Sequence, residues 1–186
     1  MSFTTFAFNS PTILNSTFTP DDDDDVEYTT STTVNGVKKR SSRQITYLQG
    51  APETANSVID WKRNTFEISG MKRHMSDLRT KRSTFSSTRY WTWFDAEEYK
   101  VKYEAELDKT WTVFSYDGSV LATFTAAVQR LFNSNSMPVL SLSEGIVDED
   151  ERRFIILVLL YSETKRLESL RERPLAVFGD FLGNLS

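Results

Sequence analysis

Residues 148–174 read DEDERRFIILVLLYSETKRLESLRERP, and the fold turns on them. Asp148, Glu149, Asp150 and Glu151 supply negative charge where the positive end of a helix dipole would sit. No glycine or proline interrupts 152–173. Pro174 then ends the run, because the residue before a proline is pushed out of helical geometry. Phe154 to Tyr161, FIILVLLY, is apolar on every side, and a helix apolar all round is buried all round. Ile155, Ile156 and Val158 are β-branched, so a buried strand is the alternative for this segment. Leu167 and Leu170 among Lys165, Arg166, Glu168, Arg171 and Glu172 make the second half amphipathic. The run falls short of the ~20 apolar residues that span a bilayer.

Upstream of this segment the chain alternates with period two. Strands are expected at Phe3 to Phe8, Ile13 to Phe18, Val26 to Thr33, Arg43 to Leu48, Val58 to Trp61, Thr65 to Ile68, Tyr90 to Phe94, Tyr99 to Tyr103 and Val139 to Leu142. Residues 110–124, TWTVFSYDGSVLATF, form a hairpin pattern around Asp117-Gly118, a pair that accepts the positive φ of a tight turn. Loops are expected at Pro20 to Asp25, Val34 to Ser42, Gln49 to Ser57 and Phe132 to Ser136. The reading is mainly β, of α+β type. About eleven to twelve antiparallel strands (within 1–145) form a barrel around a hydrophobic helix at about 148–172. A barrel removes sticky strand edges and gives an all-apolar helix a place to sit. A β-sandwich with a covering helix is the runner-up. The 186 residues read as one domain, with the tail 174–186, PLAVFGDFLGNLS, packed back on the body.

Composition narrows the chemistry. Cysteine is absent and histidine occurs once, at His74, so disulfides, thiolate nucleophiles and multi-histidine metal sites are excluded. No phosphate-cradling glycine loop and no Gly-x-Ser-x-Gly elbow is present. The reading is therefore non-enzymatic, with no cofactor and no metal. Net charge is −4 and unevenly spread. Residues 36–90 hold twelve bases and four acids, while 1–35 hold six acids and no base. Nucleic acid is not expected as a partner on this balance. The N-terminal MSFTTFAFNS lacks the basic and apolar regions of a secretory signal, so an intracellular, cytoplasmic protein is expected.

The candidate binding residues are Lys72, Arg73, Arg79, Lys81 and Arg82, around His74. Clustered bases engage phosphates, arginine by forked contacts and lysine as a point charge. The opposing reading is an exposed loop kept soluble by charge. Lys38, Lys39, Arg40 and Arg43 form a second basic cluster. Asp21 to Asp25 lack the interleaved glycines of a calcium loop and read as a solvated loop. Asp95, Glu97 and Glu98 read as hairpin-turn charges. Trp91 and Trp93 share a strand face, read as core packing, with an aromatic ligand platform as the minority reading for these and for Trp61 and Trp111.

Several stretches in order resemble a family of uncharacterised basidiomycete fungal proteins, known only as a domain of unknown function. They are 10–17, SPTILNST; 26–32, VEYTTST; Ile59-Asp60-Trp61-Lys62; the run from Arg89 through Asp95 and Tyr99 to Lys102; the Asp-Gly hairpin; and the apolar segment after Asp148. Asp95-Ala96 departs from the family, which has Asp-Gly there. That family is remotely similar to the tubby and LURP-one group, whose fold is a β-barrel around a central hydrophobic helix. The resemblance implies that fold. It also implies a lipid-facing role, since the wider group includes phosphoinositide-binding and scramblase-like proteins. It carries over no site residue. The expected partner is an anionic phospholipid surface, and the alternative is an acidic protein bound by an interaction or structural module with no lipid role.

Overall fold

The computed structural model describes residues 2–21, 26–35, 42–50, 56–83, 87–93, 97–105, 109–127 and 136–172. Its strands are β1 (Phe3–Phe8), β2 (Ser16–Pro20), β3 (Tyr28–Asn35), β4 (Ser42–Gln49), β5 (Ser57–Asp60), β6 (Thr65–Ile68) and β7 (Met71–His74). After a one-turn helix, α1 (Met75–Leu78), come β8 (Arg79–Thr80), β9 (Arg89–Trp93), β10 (Glu97–Glu104), β11 (Thr110–Phe114), β12 (Val120–Thr125) and β13 (Val139–Ser143). Helix α2 (Glu149–Glu172) ends the described chain. Period-two alternation sorts the faces: Phe6 and Phe8, Trp91 and Trp93, Trp111 and Val113, Leu140 and Leu142 are buried.

All thirteen strands belong to one sheet, ordered β7-β6-β5-β4-β3-β2-β1-β13-β12-β11-β10-β9-β8. Every neighbouring pair is antiparallel. β1 pairs with β13, Phe3 opposite Ser143 through Ala7 opposite Val139, so two meanders leave a shared ladder. The expected barrel is corrected on two points. Among the described residues there are thirteen strands where eleven to twelve were expected, and no ladder joins β7 to β8, so the sheet is not closed. Directions alternate along an antiparallel meander, so a ring closed by antiparallel ladders alone needs an even number of strands, and an odd count closes only through one parallel pair. With thirteen, two flanking strands must run the same way, and following the ladders round from β1 shows that they are β7 and β8.

The late apolar segment is helix, which removes the strand alternative. Asp148 caps it: its carboxylate accepts from the Asp150 N–H at 2.9 Å and its carbonyl from the Arg152 N–H at 3.0 Å. Every residue from Arg153 to Thr164 is buried. That is about 18 Å of helix at 1.5 Å per residue, covered on all sides. The sheet curls about it. Phe154 lies against Phe66, Trp91, Trp93 and Tyr99, and Tyr161 against Trp61, Phe66 and Trp91. Phe66 and Trp91 flank the β7–β8 break and stack on each other with ring centroids 5.7 Å apart.

Two turns differ from expectation. Asp117-Gly118 does not make a two-residue turn. Ser115 and Ser119 close a three-residue loop in which Gly118 takes φ +88°. The tight two-residue turn is Ser69-Gly70, both at positive φ (48° and 80°), between β6 and β7. Boundaries also shift: β2 starts at Ser16 and not Ile13, and Val34, Ser42 and Gln49, assigned to loops, belong to strands. Tail residues 174–186, the loop 132–135 and Asp22 to Asp25 lie outside the described residues.

Candidate functional site

From Met71 to Thr80 the basic stretch is not a loop, while Lys81 and Arg82 follow β8 outside any strand. It builds β7, α1 and β8, which span the break in the sheet. β7 is held by the Ser69-Gly70 turn and its ladder to β6, from Ile68 opposite Met71 to Thr65 opposite His74. His74 caps α1: its Nδ1 faces the Ser76 Oγ at 2.8 Å and accepts a long contact from the Ser76 N–H at 3.4 Å. That placement gives the lone histidine a structural task. Met75 and Leu78, three apart on α1, are buried and fill the break from within.

The five candidate bases do not form one patch. Lys72 pairs with Glu67 at 3.0 Å on the neighbouring strand. Arg82 pairs with Glu98 at 2.5 Å and lies over the Tyr90 ring at 4.0 Å. Lys81 is exposed just past β8. Arg73 and Arg79 are related through the rings opposite them. Arg73 is opposite Phe66 and Arg79 opposite Trp91, and those two rings are stacked, so the two arginines flank the break at one height. The Arg79 guanidinium sits 5.8 Å from the Trp91 ring centroid and 5.7 Å from that of Tyr161, and its Nη1 donates to the Tyr161 hydroxyl at 3.4 Å. No described carboxylate pairs with either Arg73 or Arg79.

Two further cations belong here, and sequence reading did not single them out. Arg89 lies two residues before Trp91, on the same strand face. Burial lowers its pKa, and the nearby Arg79 charge pushes the same way. Lys165 lies 5.9 Å from the ring centroids of Trp61 and Tyr161 and is paired with Glu168 at 2.9 Å. The signals were the i, i+2 spacing of Arg89 and Trp91 and the i, i+4 spacing of Tyr161 and Lys165. The second basic cluster is not described: Lys38, Lys39 and Arg40 lie outside, as does the Arg43 side chain.

The opposite end of α2 is acidic. Glu149 accepts from the Tyr28 hydroxyl (3.0 Å) and the Arg153 Nε (2.9 Å), Asp150 from Ser69 (2.7 Å) and Glu151 from Tyr99 (2.9 Å). Burial raises the Glu151 carboxyl above its ordinary range. Glu97 and Asp148 push it the same way, against the Tyr99 hydrogen bond. Burial first, then Glu151, drives the Tyr99 hydroxyl far above its usual value. A shallow cleft of about 560 Å³ opens at this end, bordered by Ser2, Glu97, Tyr116, Asp117 and Ser143. Glu97 and Glu98, expected in a turn, lie in β10, and Asp95 is outside the described residues. Trp91, Trp93 and Trp111 are core residues, and the half-buried Trp61 stacks on Tyr161, so these aromatics pack on the interior.

Among the described residues, no three acidic or histidine side chains cluster so as to hold a metal ion, and no helix is long and apolar enough to cross a membrane. Fold and site together define a helix-cored antiparallel β protein with a basic seam and an acidic far end. No family model, characterised protein or solved structure matches the chain.

Proposed function

We propose that the chain is a non-catalytic, intracellular binding protein whose basic seam receives the phosphates of anionic phospholipid headgroups. In this reading the curled sheet is an open relative of the tubby and LURP-one architecture. One observation carries it. Arg73 and Arg79 flank the break at one height without a carboxylate partner among the described residues, and Arg89 adds a third positive charge beside Arg79. Like charges on the two sides of a gap favour an anion between them, and arginine forks suit phosphate. Lys72 and Arg82 are already paired with Glu67 and Glu98, so they contribute less.

The test is co-sedimentation with phosphatidylcholine vesicles, with and without phosphoinositide, at low and high salt. Each base near an anionic surface is worth about 1 kcal/mol, so a double variant R73Q/R79Q should weaken binding roughly 30-fold. Changing Lys72, Arg73, Arg79, Lys81 and Arg82 together should abolish it. Binding by the wild type that is absent, or indifferent to salt and to both variants, overturns the reading.

A further inference from the structure

Apart from the two-residue β8, β7 is the strand with every described residue exposed on both faces. Its turn fixes which main-chain groups are spoken for. Across a two-residue turn with both φ positive, the flanking pair Ile68 and Met71 exchanges both hydrogen bonds, and bonded pairs then alternate. Arg73 therefore bonds to Phe66, while the N–H and C=O groups of Lys72 and His74 point away from β6. Among the described residues, no main-chain partner meets the Lys72 N–H and C=O or the His74 N–H there; the His74 C=O, as the N-cap carbonyl, accepts the first bond of α1 from the Leu78 N–H. In a closed sheet β8 would supply that partner, but no ladder joins β8 to β7, and α1 fills the break beyond His74 without continuing the ladder.

We propose that this free edge of β7 receives an extended acidic segment of a partner protein as an added antiparallel strand. Strand addition uses main-chain hydrogen bonds for affinity and side-chain chemistry for choice of partner. Direction permits it. A strand antiparallel to β7 is also antiparallel to β8, and it brings the count to fourteen, an even number. Charge selects its chemistry. Lys72 and Arg73 project to opposite faces of β7 and Arg79 stands across the break, so carboxylates on either face of the incoming strand meet a base. The same charges disfavour a second copy of this chain pairing edge to edge, because like charges would lie opposite each other. This goes beyond headgroup binding, since it uses the main chain of β7 and not only its charges.

The probe is a capped hexapeptide alternating glutamate with valine, titrated into the full chain with amide hydrogen exchange as readout. At saturation the Lys72 and His74 amides should slow at least tenfold, while Met71 and Arg73, already bonded to β6, do not change. The variants K72P and K72Q separate main chain from charge. Both lose the lysine, but only K72P loses the outward N–H, which an edge strand can spare without harm to its own ladder. K72P should bind the peptide at least tenfold more weakly than wild type, and K72Q no more than about fivefold more weakly. Phosphoinositide vesicles should treat the two variants alike. No peptide binding at millimolar concentration, binding without protection of Lys72 and His74, or equal binding by K72P and K72Q overturns the proposal whatever the vesicles do. Should K72P not fold, the exchange pattern of the wild type decides alone.

Discussion

Truncating Phe154 to alanine tests whether α2 is the pillar on which the sheet is wound. The Phe154 ring is 1% exposed and lies 5.4 Å from Trp93, 5.7 Å from Tyr99, 6.4 Å from Phe66 and 6.5 Å from Trp91, centroid to centroid. These partners come from β6, β9 and β10, on both sides of the break. Burying such a ring is worth about 1.5–3 kcal/mol. The cavity left behind adds more, because surrounding rings anchored in a ladder relax only in part, so F154A should cost about 3–5 kcal/mol. For a chain of this size that is a fall of roughly 6–20 °C in Tm. The control is L167A, on the same helix but 38% exposed, which should cost under about 1 kcal/mol. Urea unfolding followed by far-UV circular dichroism and by tryptophan fluorescence supplies both numbers, and Trp91 and Trp93 report directly on the site. If F154A costs less than 1 kcal/mol, or no more than L167A, the helix is not enclosed by the sheet and the account of the core is wrong.

Two further substitutions probe the acidic end. A Cβ at Gly50 would lie 2.7 Å from the Tyr28 ring, which is fully buried and tethered to Glu149 through its hydroxyl, so G50A should lose about 1–3 kcal/mol by overpacking; an unchanged urea midpoint would refute the close approach. Glu151 carries a carboxyl pKa raised on folding, so its favourable contribution is present below the unfolded carboxylate range and is lost as pH rises through the folded value. E151Q keeps an acceptor for Tyr99 and sheds the charge near Glu97 and Asp148. Its urea midpoint should exceed that of the wild type at pH 7, with the gap closing by pH 4; a gap independent of pH would count against the burial of this carboxyl.

The elements held together by apolar pattern were legible, and those held by other means were not. Phe154 to Tyr161 announces α2 because no polar residue interrupts it, and β9 and β11 announce themselves through Trp91, Trp93, Trp111 and Val113 in alternation. β7, α1 and β8 are MKRHMSDLRT, with neither alternation nor a continuous apolar face. β7 is a strand because Ser69-Gly70 turns the chain back on β6, and α1 is a turn of helix because Met75 and Leu78 reach the core. The bases of the candidate site could be picked out, but not their placement on the strands that bound the break. Closure was illegible for the same reason. β7 and β8, the two strands left uncounted, are the ones that bound the break, so the eleven legible strands carry no sign of where the sheet stays open.

An open edge is usually a liability, so the persistence of this one needs a cause. Elsewhere the pull toward closure comes from apolar surface left uncovered. Here that surface is already sealed: Phe66 stacks on Trp91 beneath the break, and Met75 and Leu78 fill it from α1. What remains unsatisfied is main chain in water, where each net hydrogen bond is worth only about 0.5–1.5 kcal/mol, too little to draw β7 and β8 together once α1 fills the space between them. The edge is therefore available without being sticky, and selection among passing strands falls to Lys72, Arg73 and Arg79. A base at an unpaired edge repels another basic edge by the same electrostatics through which it admits an acidic one. Guarding against self-association and recruiting an acidic strand are thus a single property of this seam. A neutral peptide of the same length and valine content separates it from generic edge stickiness: it should bind β7 more weakly than the glutamate peptide, and equal binding would show that the charges play no part in the choice.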